Sequence, residues 1–478
     1  MTEPNAAQVY HRLTSYDTQR EWTDPVADPR IVAGFTPMDP DRFPPSMKRY
    51  PGGLPRTPLP RELAPCEVSA ADALAGRVPA PRSDHAVTLS ELATVLYLAA
   101  GVVRTIERNG TQLPFRAAGS AGGRFPLELY VSAHGLDGVT DGVHWYDPLD
   151  HALVQVAPAA QGEATTVIVT GVPWRTGWKY AERGFRHIYW DAGTMLSQAL
   201  AVAASLGLQH RLVTGFPDAS VAELVGADGV HEFPVAAVVL GSGTPAASPT
   251  GLATSGSVDD APTEFPLVTA TQRAGNQGQW AAPWPVGDAL PAAPHSRSLV
   301  DVILQRGSTR LMRRDASLPR DQLEFAMAAA TRGITDPQFV AVHGVDGVAP
   351  GLYRWPDLDS PVQAGDLRDE VERICLDQAL GGDAAYVVLS CADVSALDAH
   401  AYREALLAAG LVEGRLHLAA YALGCGASGM TYLDSEIAGF VGAPLDALLF
   451  TCVGVPAYRN RAGGKPGEPN AVRGVQPR

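Results

Sequence analysis

Apolar positions along the chain switch between a helical and a strand-like period. In "TLSELATVLYLAAGVV" (residues 88–103) they form one broad face. Thr88 stands at the cap, with Glu91 at capping-box spacing, and the pattern predicts a helix. "PLELYVSAHG" (126–135) and "FPVAAVVLG" (233–241) are short apolar runs and predict core strands, while "GVHWYDPLDHALVQV" (142–156) predicts a hairpin-like pair. "DAGTMLSQALAVAASLGL" (191–208) predicts a long, largely buried helix.

The same order of elements then returns. "LPRDQLEFAMAAATRG" (318–333) matches the first helix, and "VAVHGVDGVAPGLYRWPDLDSPVQ" (340–363) matches "VSAHGLDGVTDGVHWYDPLDHALVQ" (131–155). "GRLHLAAYALGCG" and "ALLFTCVGVP" match the long helix and the closing strand. Repeats of this size predict two tandem domains, the fused form of an ancestral two-fold dimer. We expect an α+β fold with a Pro-rich N-terminal arm at 1–70, domains at 71–245 and 296–460, a Gly/Ser/Pro-rich linker at 246–295 and a tail at 461–478.

Composition narrows the class. The 478 residues carry a net charge of -14, which argues against a nucleic-acid binder or a polybasic membrane anchor. No apolar run reaches the ~20 residues of a spanning helix. The start has no signal-peptide pattern, and the five cysteines lack CxxC spacing, so a reducing cytoplasm without disulfides or structural zinc is expected. Neither the histidines (His85, His134, His144, His187) nor any other residues show a metal-ligand pattern, and neither a P-loop nor a nucleophile elbow is present.

Three stretches carry the chemistry: "QRGSTR" (305–310), "RAAGSAGGRFPLELYV" (116–131) and "WKYAERGFRHIYWDAG" (178–193). Singly each is ordinary, a basic helix start, a turn and a charged surface. Together, within a duplicated frame, they resemble the SagB/McbC-type dehydrogenases, FMN enzymes of the nitroreductase-like superfamily, over roughly residues 71–460. The resemblance implies an α+β sandwich with a mixed sheet flanked by helices, and FMN bound between two subunits. The cofactor brings a phosphate dianion, which needs cations or helix-start amides, and a flat ring, which needs closely approaching backbone.

The two copies hold the implied parts unequally. The second has Arg306, Ser308 and Arg310, where the first has Arg77-Val78-Pro79-Ala80-Pro81-Arg82. The second also has Arg459 and Arg461 at the implied phosphate end, and the glycine-containing Gly426-Ala427-Ser428-Gly429. The first keeps the ring-covering loop, Arg116 with Gly119, Ser120, Ala121 and Gly122, although Gly119 replaces the family's proline; the second has the degenerate "ATRGITDPQ". One composite site is therefore expected, with one FMN per chain and a dead mirror site.

The resemblance implies a catalytic role for Lys179 and Tyr180. Aromatising an azoline removes a hydride and a proton, and a desolvated lysine or a tyrosine could handle the proton. "HAYRE" (400–404) aligned with "WKYAE" makes Tyr180 and Glu182 recurrent, and Lys179 unique to the first copy. The implied activity is azoline oxidation, or oxidation of a similar C–C or C–N bond, in peptide natural-product tailoring, with O2 as acceptor. The substrate would be peptide-derived or a small molecule, free or bound to a carrier or leader, in a complex with other tailoring enzymes. The rival readings are an NAD(P)H-dependent nitroreductase-like reductase and a non-catalytic flavoprotein scaffold.

Overall fold

The computed structural model describes residues 4–17, 39–82, 86–108 and 111–473. The first half runs α1 (Ala6–Thr14), β1 (Arg56–Pro58), α2 (Ala70–Ala75), α3 (Leu89–Ala100), β2 (Val102–Arg108), β3 (Thr111–Arg116), β4 (Leu127–Ala133), β5 (Gly142–Asp147), β6 (Ala152–Ala157), β7 (Thr166–Gly171), α4 (Pro173–Tyr180), α5 (Gly184–Ser205), β8 (His210–Val213), α6 (Asp218–Val225) and β9 (Phe233–Leu240). A connecting stretch carries α7 (Pro266–Ala274). The second half contains α8 (Leu299–Gln305), β10 (Leu318–Pro319), β11 (Gln338–Val342), β12 (Val345–Asp346), β13 (Gly351–Arg354), β14 (Gln363–Ala364), β15 (Tyr386–Ala392), α9 (Ala399–Ala422), β16 (Gly426–Met430), α10 (Ile437–Val441), β17 (Asp446–Gly454) and β18 (Asn470–Val472).

The expected capping box is present at α3: Thr88 accepts from the Glu91 amide, and Glu91 accepts from the Thr88 amide. The helix stops at Ala100, earlier than its apolar run suggested. Gly101 is extended, and the β-branched pair Val102-Val103 opens β2. The long helix, in contrast, begins earlier than expected, at Gly184.

The duplication is visible in the sheets. The first has order β1-β6-β5-β4-β7-β9-β8 and the second β14-β13-β11-β15-β17-β16, so β4 to β9 and their counterparts lie in the same spatial sequence. β1, from the Pro-rich arm, adds an edge to the first sheet by pairing with β6. β18 returns from the C-terminal end to lie parallel to β2 of the first half. The fold is thus α+β, two units of matching sheet order joined as a pseudo-dimer, and one large apolar cluster draws on both halves.

α5 and α9 cross at the pseudo-two-fold axis. A β-carbon at Gly193 would run into the Leu407 carbonyl, and one at Gly410 would run into the Trp190 carbonyl, so glycine at both places lets the backbones touch. Buried ion pairs repeat the relation. Arg186 of the first half meets Asp434 of the second at 2.6 Å, and Arg403 of the second meets Asp218 of the first at 3.0 Å. Such reciprocity is what an isologous interface becomes inside one chain.

The crossing also corrects one alignment. In the register set by Gly193 and Gly410, Tyr402 falls opposite Phe185 and Glu404 opposite His187. The second half passes from β15 to α9 through the single turn Val394–Ala396, with nothing matching α4. Tyr180 and Glu182 therefore have no counterparts, and Tyr180 is as particular to the first half as Lys179.

Candidate functional site

The loop after β3 and the segment after α8 come from opposite halves and meet. Arg306 is buried, and its Nη2 donates to the Ala117 carbonyl at 2.6 Å. Its Nη1 would lie 3.2 Å from a β-carbon at Gly119, so the missing side chain leaves room for the guanidinium. Nε and Nη1 have no hydrogen-bond partner among the described residues. Burial lowers this guanidinium to about 10, which leaves it cationic at neutral pH.

Beyond Arg306 the chain runs beside β16. Ser308 bridges Ala427, and the Thr309 amide donates to the Ala427 carbonyl at 2.8 Å. Gly426 is required there because a side chain would collide with Thr309. Arg310 receives its local support from the Tyr458 hydroxyl, which accepts from the Arg310 amide at 2.9 Å. Ser308, Arg310, Arg459 and Arg461 are exposed along this edge, and the Arg461 carbonyl accepts from Arg104 Nε at 2.8 Å. Ser428 and Gly429 continue along β16, and Gly429 faces the Glu413 carboxylate at a distance that no side chain would allow.

Lys179 and Tyr180 close the other side of the loop. A β-carbon at Gly122 would lie 2.6 Å from the Tyr180 hydroxyl and 2.8 Å from Lys179 Nζ. Tyr180 stacks on His187, with ring centroids 3.9 Å apart, and burial raises its phenol well above the ordinary range. Both ring nitrogens of His187 lack partners among the described residues. Burial, and then the cations Arg183, Arg186 and Lys179, push its pKa well down, so it is neutral. Lys179 is exposed, so the desolvation expected to tune it is not seen in this conformation. The edge-to-face contact of Phe43 with Trp178, centroids 4.9 Å apart, with the Arg124 guanidinium 4.4 Å from the Phe43 ring, brings the Pro-rich arm to the rim.

The rest of "WKYAER" belongs to the scaffold. Arg183 pairs with Asp434 at 2.8 Å, and Glu182 accepts from the Val268 amide at 3.1 Å, its carboxyl raised by burial to about 7. Ala181 is held at φ 48°, ψ -138°, a region that disfavours any side chain. Ala181→Gly should therefore stabilise the fold by about 1 kcal/mol, read as a rise in Tm. An unchanged or lowered Tm would contradict the strain.

Arg116 lines the same cavity, but its donors go to the Leu127 carbonyl at 2.6 Å and the Ser46 carbonyl at 3.2 Å. It ties the arm to the loop and leaves the free guanidinium edge to Arg306.

The mirror pocket is built differently. Arg77 is exposed, 3.4 Å from Asp72, and donates to the Pro291 carbonyl. Arg332 places its guanidinium where a β-carbon at Gly76 would lie, a β-carbon at Gly333 would run into the backbone of Pro285 and Val286, and the Leu290 amide donates to the Ala75 carbonyl at 2.8 Å. The connecting stretch thus covers the place where a second site would open.

Two acids went unnoticed in the sequence. Asp191, in the middle of α5, accepts from the Ser120 hydroxyl at 2.5 Å and from the Ala121 amide at 3.0 Å, and it lines the cavity beside Gly119. Glu413 on α9 accepts from the Thr194 hydroxyl at 3.1 Å. Asp191 is the only acid of α5, which signals burial without naming the partner; Glu413 shares α9 with Glu404 and carries no such mark. In the register of the crossing, Asp191 falls opposite Ala408 and Glu413 opposite Leu196, so neither acid has an acidic counterpart in the other half.

The family model described as "Nitroreductase family" matches residues 83–242. A Methanocaldococcus jannaschii protein described as a candidate nitroreductase is 30% identical over 170 residues, covering 32% of this chain and 81% of its own length. The chain belongs to the nitroreductase family. Its members are, in general, flavin-dependent oxidoreductases. A crystal structure of another candidate nitroreductase, from Anabaena variabilis, aligns over 95% of this nitroreductase-family chain and 100% of its own. The TM-score is 0.72 and the identity 22%, so the two share the fold across both halves. A Ralstonia eutropha candidate nitroreductase aligns over 41% of the chain and 93% of its own, at TM-score 0.33 and 20% identity.

Proposed function

We propose that this nitroreductase-family protein is an FMN-dependent dehydrogenase of the SagB/McbC type. It would oxidise an azoline to an azole, or a comparable C–C or C–N single bond, in the tailoring of peptide-derived compounds. The observation that carries the reading is the Arg306 guanidinium, buried with two donors unused and facing the Gly119 gap. A flat ligand edge rich in acceptors satisfies such a group, and a flavin pyrimidine edge is one. Arg310, Arg459 and Arg461 are exposed cations on the adjoining edge and would take the phosphate. The closely packed backbone at Gly119, Gly122, Gly426 and Gly429 suits a flat ring.

FMN, when bound, supplies hydride acceptance, with O2 as the final electron acceptor. This chain's residues do the remainder. Lys179 Nζ and the Tyr180 hydroxyl, both at the Gly122 corner, hold and move the proton that leaves the carbon next to the hydride donor. His187, neutral and stacked on the phenol, fixes the ring plane of Tyr180. Asp39, Phe43, Arg124 and Trp178 form the rim past which a peptide-derived or small-molecule substrate would enter.

The test is the absorbance spectrum with flavin quantitation. One FMN per chain is expected; two per chain, or none recoverable from denatured protein, would sink the reading. Lys179→Ala and Tyr180→Phe should keep the flavin spectrum and lose oxidation by ~100-fold or more. Wild-type turnover in both would remove their role.

A further inference from the structure

We infer that Asp191 is a positioning residue of this site: its carboxyl latches the covering loop across the cavity, so that seating of residues 119–125 is coupled to one proton. The latch has three observed parts. Asp191 Oδ2 accepts from the Ser120 hydroxyl at 2.5 Å, and Oδ1 accepts from the Ala121 amide at 3.0 Å. The Ser120 oxygen in turn accepts from the Phe125 amide at 2.7 Å, so one carboxyl anchors both ends of the loop. In the other half Ala408 takes the place of Asp191, so the latch is not repeated there.

The surroundings set the direction of the coupling. The titratable and charged groups near Asp191 are Tyr180 on α4, Glu413 on α9, Arg116 at the end of β3 and Arg306 after α8, while α3 contributes Ala99 and Ala100. His187 lies one turn earlier on α5 and is neutral. Neither guanidinium forms an ion pair with Asp191 among the described residues: Arg116 lies nearest Glu128, and Arg306 donates to Ala117. Burial raises the carboxyl to about 8, against the two hydrogen bonds that lower it. With the loop lifted, the carboxyl meets water and returns toward an ordinary value near 4. Closing then takes up a proton, so the seated loop is favoured at low pH and loosens as pH rises toward 8.

The experiment is hydrogen exchange of the loop amides in flavin-free protein, corrected for intrinsic rates, from pH 6 to 9. In the wild type, exchange at Ala121 and Phe125 should quicken by up to about tenfold per pH unit until pH 8, then level. Asp191→Asn mimics the protonated carboxyl and should stay protected at every pH. Asp191→Ala should exchange fast at every pH. A flat wild-type profile, or an Asn variant that follows the wild type, would overturn the latch. If the Ala variant does not fold, the comparison of wild type with Asn decides alone. The inference borrows its meaning from the flavin reading, but this measurement uses no flavin. A parallel FMN titration therefore separates failure of the latch from failure of the proposed cofactor.

Discussion

Arg306→Leu should leave a folded protein that has lost its flavin. The guanidinium is buried, makes one side-chain hydrogen bond to the Ala117 carbonyl, and pairs with no carboxylate among the described residues. An unpaired buried charge costs the apoprotein stability, so a leucine of similar reach should hold Tm or raise it. The same change removes two charge-assisted hydrogen bonds to the ligand, each contributing about 1.5–3 kcal/mol. FMN affinity should fall by at least ~100-fold in a fluorescence titration. The paired outcome distinguishes a ligand-binding arginine from a structural one. A structural arginine would lower Tm, and an irrelevant one would leave the affinity unchanged. Either result would remove Arg306 from the site.

The second large effect is on assembly of the two halves. Asp434 receives Arg183 at 2.8 Å, Arg186 at 2.6 Å and the Tyr16 amide at 2.7 Å, so it joins both halves and the N-terminal arm. Asp434→Ala leaves two buried guanidiniums without their carboxylate and should cost about 3–5 kcal/mol, measured by urea unfolding. Asp218→Ala, at the pseudo-symmetric place, should cost less, because Arg403 keeps the Asn276 side chain at 2.8 Å. Equal losses would mean that the second arginine and the arm contribute nothing. Burial pushes the Asp434 carboxyl up, but Arg183 and Arg186 outweigh it and hold it at about 2. A depressed carboxyl stabilises the fold above its unfolded value near 4, and that contribution disappears as pH falls toward 2. The Ala variant should therefore show a flatter acid limb than the wild type.

How much of this could be read beforehand differs from residue to residue. The Thr88–Glu91 capping box was legible because a cap is local, decided within four residues. The union of Arg306 with the 116–123 loop was legible through the unequal losses of the two copies, which need one surviving composite pocket. Asp191 was not. Its partners, Ser120 and Ala121, lie 71 and 70 positions away, and a single acid in an apolar helix does not say what it will be buried against. The alignment of Tyr402 with Tyr180 failed for a related reason. Short polar matches tolerate a shift of register, whereas backbone contact at Gly193 and Gly410 does not.

The sequence alone determined the duplication and the α+β class, and predicted a candidate site divided between the halves, because periodicity, turn residues and repeated motifs are properties of neighbouring positions. Only the tertiary structure decided that Arg306 keeps unused donors beside the covering loop, that Arg116 is spent on backbone carbonyls, and that the connecting stretch covers the mirror pocket. Those outcomes depend on burial and on partners far apart in the chain. A charge acquires its role only when the rest of the chain has removed its water and either supplied or withheld a partner.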